Sequence, residues 1–455
     1  MKVRLTEEQL NKKDWLIKQL GDNFKEVDIP LIESLAFAID RLEYMDSQIN
    51  DIPSLLSDRV YMASRAKFTT QLESGLKMLD ITPRLNNWKI KTLWRRYWMY
   101  KKAYEYCKWA VQSDNHKVPK YVKKQCSQFI DIWEDKDAIS IIDHEKANKI
   151  YKLLQLINVP KGDGVGKSVV NSLTGFQWLL LIAPFCVVHR DDNSKRTYEQ
   201  ILLEIARKNA KSYVSALICL VLMILEPKFS RFFTVAPTGA LARETFRQMK
   251  EFVNTSPILS KHFKLRRDNI ICTLTSSEYV PLNYSTSTLD GKLPNAWLGD
   301  EVGALPCSYP LDAMRSGSVL LKNKLGIIMS TKYPTVDNPM EAEVQYSKNV
   351  LDGIVEDTTI FSLLYEPDNP KGDWITDNTI LEQANPLAIE VPVLWDNLLK
   401  TRNKAIELPE TKSNFLTKHC NIICSETGNE AYVDIQDVKI CATSNSINWN
   451  GRDVY

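Results

Sequence analysis

The sequence predicts an α/β fold, a mainly parallel sheet flanked by helices and preceded by an α-helical N-terminal region. Beyond about residue 170, short apolar β-type runs (Gln200–Ile205, Arg231–Val235, Asn295–Leu298, Leu325–Met329 and Thr358–Leu364) alternate with helical stretches such as Lys211–Leu225 and Ala240–Val253. Strands that alternate with helices imply parallel neighbours in one sheet. Ahead of them the apolar period is helical: Leu31, Leu35, Ile39 and Leu42 share one face of Pro30–Tyr44.

In chain order, Leu5-Thr6-Glu7-Glu8 reads as a helix start with acids in its first turn. A polar break follows at Asn50-Asp51-Ile52-Pro53, a further helix at Ala63–Leu79, and a turn at Ile81-Thr82-Pro83-Arg84. From Trp88 to Ser127 eleven Lys/Arg stand against two acids, Glu105 and Asp114, with nine aromatics interleaved. A second helical stretch covers Ile130–Leu156 and closes at Pro160-Lys161-Gly162. From about residue 366 the chain turns polar and Asn/Asp/Pro-rich. The resulting division is a helical domain at 1–87, a basic and aromatic helical region at 88–168, an α/β core at 169–365 and a smaller subdomain at 366–455.

The 455 residues balance 58 Lys+Arg against 56 Asp+Glu, and 44% are hydrophobic, a composition for globular domains and not for disorder. The longest apolar runs, Leu179–Val188 and Tyr213–Leu225, fall short of the roughly 18 residues of a membrane span. No secretory signal is visible in MKVRLTEEQL, and nine cysteines without regular spacing fit reduced thiols. Membrane protein, disulfide scaffold and uniformly basic nucleic-acid coat are therefore disfavoured.

Two lysine–serine pairs compete to be a phosphate loop. Gly162–Ser168 ends in Gly-Lys-Ser, but Lys161 stands where the strict pattern needs glycine, and no strand leads in. It reads better as a glycine-rich surface turn. Ala206–Ser212 lacks both glycines, yet a β run leads in and a long apolar helix leads out. There Lys211 can reach the β/γ-phosphates and Ser212 can ligate Mg²⁺. Downstream, Asn295–Glu301 is an apolar strand ending in Asp300-Glu301, where the first acid holds Mg²⁺ and the second orients the attacking water. Ile327–Thr331 is a strand ending in Ser330-Thr331, the place of a γ-phosphate-sensing coupling motif in helicase-like motors.

These motifs, in this order, resemble the large terminase subunit of tailed bacteriophages, the ATPase motor that packages DNA into the procapsid. The likeness covers roughly residues 90–450. Phe176-Gln177-Trp178 resembles the family's adenine-reading motif, which implies that Gln177 contacts the base. Ala206–Ser212 resembles its atypical phosphate loop, so that Arg207, Lys208, Asn209, Ala210, Lys211 and Ser212 would cradle ATP; Ala210 stands where glycine is usual. Tyr106–Trp109, Val235–Thr238, Leu289–Gly291, Leu364–Glu366, Ala384–Pro386 and Phe415–Lys418 also match. The resemblance implies a RecA/ASCE-like P-loop core with 366–455 as lid and linker, ATP and Mg²⁺ as cofactors, and double-stranded DNA and the procapsid portal as partners. It further implies a ring-forming homo-oligomer in the host cytoplasm, transiently at the portal vertex, with no membrane association. Two departures accompany it. The family's C-terminal nuclease is expected to be missing, with no DNA cleavage by this chain. Residues 1–86 resemble the phage small terminase subunit, so that partner is expected as a separate chain or as this fused equivalent.

A ring motor also needs an arginine at the γ-phosphate. Arg207 within the loop and Arg243, with Arg247, on the following helix are the candidates. The Trp88–Ser127 stretch suits phosphate-backbone binding, but its aromatics equally suit a core, with lysines on the outer face. His419-Cys420 with Cys424 lacks a second ligand pair and reads as buried thiol, not metal site. Two other classes stay open: a helicase-type DNA-remodelling ATPase, and a non-enzymatic DNA-recognition or assembly subunit.

Overall fold

The computed structural model describes residues 6–20, scattered positions between 29 and 44, and 101–424 apart from 163, 286 and 287. The chain divides into two compact units, Met1–Trp98 and Met99–Tyr455. In the first, helix α1 (Glu7–Leu20) starts where Thr6 and Gln9 cap each other: Gln9 N donates to Thr6 Oγ1 (3.3 Å) and Thr6 N to Gln9 Oε1 (3.1 Å). Gln9 and Lys12 both bind Asp40, and Lys13 pairs with Glu33, which ties α1 to the Leu31–Leu42 stretch. The expectations for Asn50–Arg84, for residues 88–100 and for the chain after 424 lie outside the described residues.

The second unit opens with α2 (Lys101–Ala110) and α3 (Lys120–Trp133). Their aromatics turn inward: Tyr106 and Phe129 are buried and Tyr104 stacks on Trp133, while Lys102, Lys108, Lys120 and Lys124 stay exposed. The helix expected over Ile130–Leu156 is interrupted. Asp135 turns left-handed after α3, strand β1 (Ser140–Ile142) follows, and Asp143 caps α4 (His144–Gln155) by accepting from Lys146 N (2.9 Å). The Gly162–Ser168 stretch is a turn: Gly162 and Gly166 take positive φ, and Val159 N bonds back to Lys167 O (2.8 Å). Helix α5 (Gly175–Cys186) runs into β2 (Val187–His189), which pairs antiparallel with β1.

The main sheet is built from β3 (Gln200–Glu204), β4 (Arg231–Val235), β5 (Phe263–Leu265), β6 (Ile270–Cys272), β7 (Ser277–Pro281), β8 (Ala296–Asp300), β9 (Leu325–Ser330) and β10 (Ile360–Leu364). Its spatial order is β10-β3-β9-β8-β4-β7-β6-β5, parallel from β10 to β7 and antiparallel only through β6 and β5. The antiparallel extension had no counterpart in the sequence reading; its strands are too short to give a period. Alternate residues feed opposite faces. Ile201 and Leu203 pack with α5, α6 (Lys211–Leu225) and α7 (Gly239–Thr255), whereas Leu202 packs with Trp297, Ile328 and Met340. The chain continues through α8 (Tyr309–Gly317), α9 (Pro339–Leu351), α10 (Asn378–Ala384), α11 (Pro386–Glu390), α12 (Pro392–Glu407) and α13 (Lys412–His419). Within the stretch read as lid and linker, residues 367–424 are mostly helical because their few apolar residues, Ile380, Leu381, Phe415 and Leu416 among them, converge on one small core.

β9 is the strand that separates β3 from β8, and one residue lets it fit. Gly326 faces Trp297 across the β8–β9 pair, and a Cβ added there would lie 2.5 Å from the indole. Gly326→Ala is expected to destabilise the chain by about 1–3 kcal/mol, read from urea unfolding. An unmoved midpoint would show that the indole relaxes freely.

Candidate functional site

β3 ends at Glu204 and α6 begins at Lys211; the residues between curl the chain over the sheet's carboxyl edge. Lys208 and Ala210 are left-handed, with φ of 70° and 57°. That conformation costs a residue with a Cβ about 1–2 kcal/mol and costs glycine nothing, a physical reason for the glycine usual at position 210. Buried Asn209 holds the curl: its Nδ2 donates to Ala206 O (3.1 Å) and Asn385 Oδ1 (2.9 Å), and its Oδ1 accepts from Leu387 N (3.1 Å). Arg207 N donates to Lys418 O (2.8 Å). The loop is thus braced by α10, α11 and α13.

Lys211 turns under the loop. Its Nζ donates to Ile205 O (3.4 Å) and lies 3.7 Å from Glu301 Oε1. Burial pulls its pKa down, opposed by the charges of Glu301 and Asp300. Asp300 closes β8 with every residue of that strand buried. Its carboxyl is pushed up to about 7, first by burial and then by the adjacent Glu301, against the pull of Lys211. Glu301 then leaves the strand at φ 51°, ψ 43°, and its N–H donates to Asp300 Oδ1 (3.0 Å). Non-glycine strain of this kind concentrates where geometry is held for function. Ser330 Oγ accepts from Gly303 N (3.0 Å) and donates to Thr331 O (2.9 Å), joining the end of β9 to the turn after Glu301. Thr331 Oγ1 is buried without a hydrogen-bond partner among the described residues.

The fold therefore gathers Lys211, Asp300 and Glu301, with Ser330 and Thr331 on the strand between their parent strands and Ser212 half-buried in the first turn of α6. Arg207 and Lys208 are exposed on the loop, and the charge of Arg207 is felt at Lys211. Gln177 is buried in the first turn of α5; its Oε1 accepts from Thr174 N (3.0 Å), so the Nε2 donors are the half of the amide left for a ligand. Arg243 is not gathered here. Its guanidinium pairs with Asp268 (3.0 Å) at the antiparallel extension, and Arg247 pairs with Glu244 (2.8 Å) on its own helix.

The donors fit Mg²⁺. The Ser212 hydroxyl and the buried Asp300 carboxylate are hard oxygen ligands, and a cation would discharge a carboxylate that burial otherwise keeps near half-protonation. Among the described residues no group of three or more His, Cys, Asp or Glu could hold a metal. An ion held here would take its remaining ligands from phosphate and water, as Mg²⁺ does. Cys420 is buried, its thiol pushed up to about 12 by burial, and His419 stacks on Phe415.

Three neighbours of the site escaped sequence reasoning. Tyr333 donates its hydroxyl proton to Glu301 Oε2 (3.1 Å). Lys332 Nζ is buried 2.6 Å from Glu204, 2.8 Å from Glu341 and 3.2 Å from Glu366. Lys418 Nζ donates to Lys332 O (3.1 Å) and lies 3.3 Å from the centre of the Tyr333 ring. The adjacency of Lys332 and Tyr333 to Ser330-Thr331 was the available signal.

The family model of the terminase large subunit, ATPase domain, matches residues 185–349. Among solved structures, the large terminase of bacteriophage HK97 aligns with a TM-score of 0.51 at 21% identity, covering 62% of this chain and 55% of that one. The alignment thus spans about half of the HK97 protein's length, and at this identity it bears on the fold. The large terminase ATPase domain of Thermus phage P74-26 aligns with a TM-score of 0.27 at 17% identity, over 32% of this chain and 63% of that one. No curated protein sequence matches. The part of the chain that is similar to this family's ATPase domain is thus residues 185–349. No helix among the described residues is long and apolar enough to cross a membrane.

Ala210→Gly is expected to raise stability by about 1 kcal/mol by relieving the left-handed alanine, measured as an upward shift of the urea midpoint; a fall would show that residue 210 does not hold that conformation in solution. Lys332→Met is expected to cost about 3–5 kcal/mol because it strands buried Glu204, with partial recovery in the Lys332→Met/Glu204→Gln double variant. Equal loss in both would mean that the lysine's packing matters and its charge does not.

Proposed function

We propose that the chain, whose residues 185–349 are similar to the terminase large-subunit ATPase domain, is a motor that couples ATP hydrolysis to movement of double-stranded DNA into a procapsid. The observation that carries the reading is the convergence of Lys211, Asp300 and Glu301 at the carboxyl ends of parallel strands on either side of β9. In an open parallel sheet that edge is where ligands bind.

In this reading the first-turn N–H groups of α6 and the Lys211 ammonium hold the β/γ-phosphates, with Gln177 Nε2 donating to the base. Ser212 and Asp300 hold Mg²⁺, which neutralises charge developing on the transferred phosphoryl group. Glu301 accepts a proton from the water that attacks the γ-phosphate. Lys211 contacts Glu301 in this structure, and a bound triphosphate competes for that ammonium, freeing the carboxylate to act as base. Ser330 and the unpartnered Thr331 hydroxyl pass the change at the γ-phosphate to the turn at Gly303. Arg207, on the loop, is the better placed cis arginine; Arg243 must leave Asp268 to serve a neighbouring subunit. The exposed lysines of α2 and α3 offer non-specific contacts to the DNA backbone. Ring assembly at a portal, with the small-terminase-like residues 1–86 recognising DNA, completes the reading.

ATP hydrolysis by the native chain, Glu301→Gln and Lys211→Ala, with and without linear duplex DNA, tests it. Glu301→Gln is expected to lower kcat by roughly 10²- to 10⁴-fold, and DNA is expected to change the native rate. Equal rates for native and Glu301→Gln chains would remove Glu301 as the base.

A further inference from the structure

We propose that Tyr333 and Lys418 form a positioning pair that aims Glu301, so that the seating of α13 on the core governs activation of the attacking water. The inference rests on the ATPase reading of Glu301.

The Tyr333 ring is held on three sides. Its hydroxyl donates to Glu301 Oε2 (3.1 Å). One flank lies against the turn that follows Glu301: a Cβ added to Gly303 would fall 2.5 Å from Tyr333 Cδ2. The Lys418 ammonium sits 3.3 Å from the ring centre, and its remaining partner, Lys332 O at 3.1 Å, belongs to the residue before Tyr333. Lys418 is 8% exposed, so its charge is spent on these neighbours and not on solvent. A cation over a desolvated ring is attracted by the ring's electron-rich face, and it also draws electron density from the phenol, making the O–H a better donor.

The same lysine accepts the backbone N–H of Arg207 through its carbonyl oxygen (2.8 Å). One residue of α13 therefore touches the phosphate loop with its backbone and, through Tyr333, the acid with its side chain. The pull on Glu301 is directional. With Oε2 held by Tyr333, the carboxylate cannot rotate, and Oε1, which now faces Lys211 at 3.7 Å, is the oxygen left to receive a proton. The gain is in orientation. Displacement of α13 would remove the cation from the ring and loosen Glu301 while leaving Lys211 and Asp300 in place.

The experiment is steady-state ATP hydrolysis and fluorescent-ATP binding by the full chain and five variants, Glu301→Gln among them. Tyr333→Phe keeps the ring against Gly303 and Lys418 and removes only the donor. It is expected to lower kcat by roughly 10- to 100-fold with KM and the ATP Kd within about twofold of native, a split that a merely structural role would not produce. Lys418→Met is expected to lower kcat less, and Lys418→Arg to restore most of it. The double variant Tyr333→Phe/Lys418→Met is expected to match Tyr333→Phe alone, because the lysine acts through the hydroxyl. Glu301-dependent turnover that survives Tyr333→Phe, or additive losses in the double variant, would overturn the pair alone. Turnover that survives Glu301→Gln would overturn the ATPase reading beneath it.

Discussion

One buried ammonium organises the edge of the sheet on which everything else stands. Lys332 follows β9 and meets Glu204 at the end of β3, Glu366 just past β10 and Glu341 in the first turn of α9. Three chain segments that must end side by side are pinned by a single charge. Taking Glu204 wholly out of water pushes its pKa up to about 7, against the pull of Lys332. Such a cluster adds little net stability, since desolvation offsets attraction, but it tolerates few alternative arrangements. The backbone N–H of the same lysine donates to Asn421 Oδ1 and its carbonyl oxygen accepts from Lys418 Nζ, so the C-terminal helices are docked by the residue that fixes the strand ends.

The site's readiness has a cost in conformation. Ala210 and Glu301 both carry a Cβ in a region where glycine is at ease, one on each side of the Lys211–Glu301 contact. Neither would persist without over-determination from outside. For the loop this comes from Asn209 and its links to Asn385 and Leu387; for the acid it comes from Asp300 Oδ1 and Tyr333. The helices between residues 378 and 419 are therefore part of the edge that carries the candidate site and not an appendage to it.

Much of this was legible in the residues. The strands at 231–235 and 325–330 and the helix at 211–225 announce themselves because each is buried and continuously apolar, and the acid pair at 300–301 stands out at the end of such a strand. Of the basic, aromatic stretch, residues 101–127 resolve as two faces, rings inward and ammonium groups outward. The interruption at 134–143 was hidden, since a left-handed Asp135 leaves no periodic trace. The strands at 263–265 and 270–272 are too short to show alternation. Lys332, Tyr333 and Lys418 escaped for another reason: their side-chain partners lie between nine and 128 positions away, and nothing in a local pattern says that a lysine near the end of the chain will rest on a tyrosine in its middle.

The absence of a side chain at Gly303 carries a consequence for how such chains can change over generations. The Tyr333 ring occupies the space that any larger residue at 303 would need. Substitution at 303 alone is blocked by the ring, and loss of the ring leaves Glu301 without its hydroxyl partner. Positions 303 and 333 are thus free to drift only together. Among relatives, a residue larger than glycine at the first position should be found with something smaller than tyrosine at the second, and with a different group holding the acid.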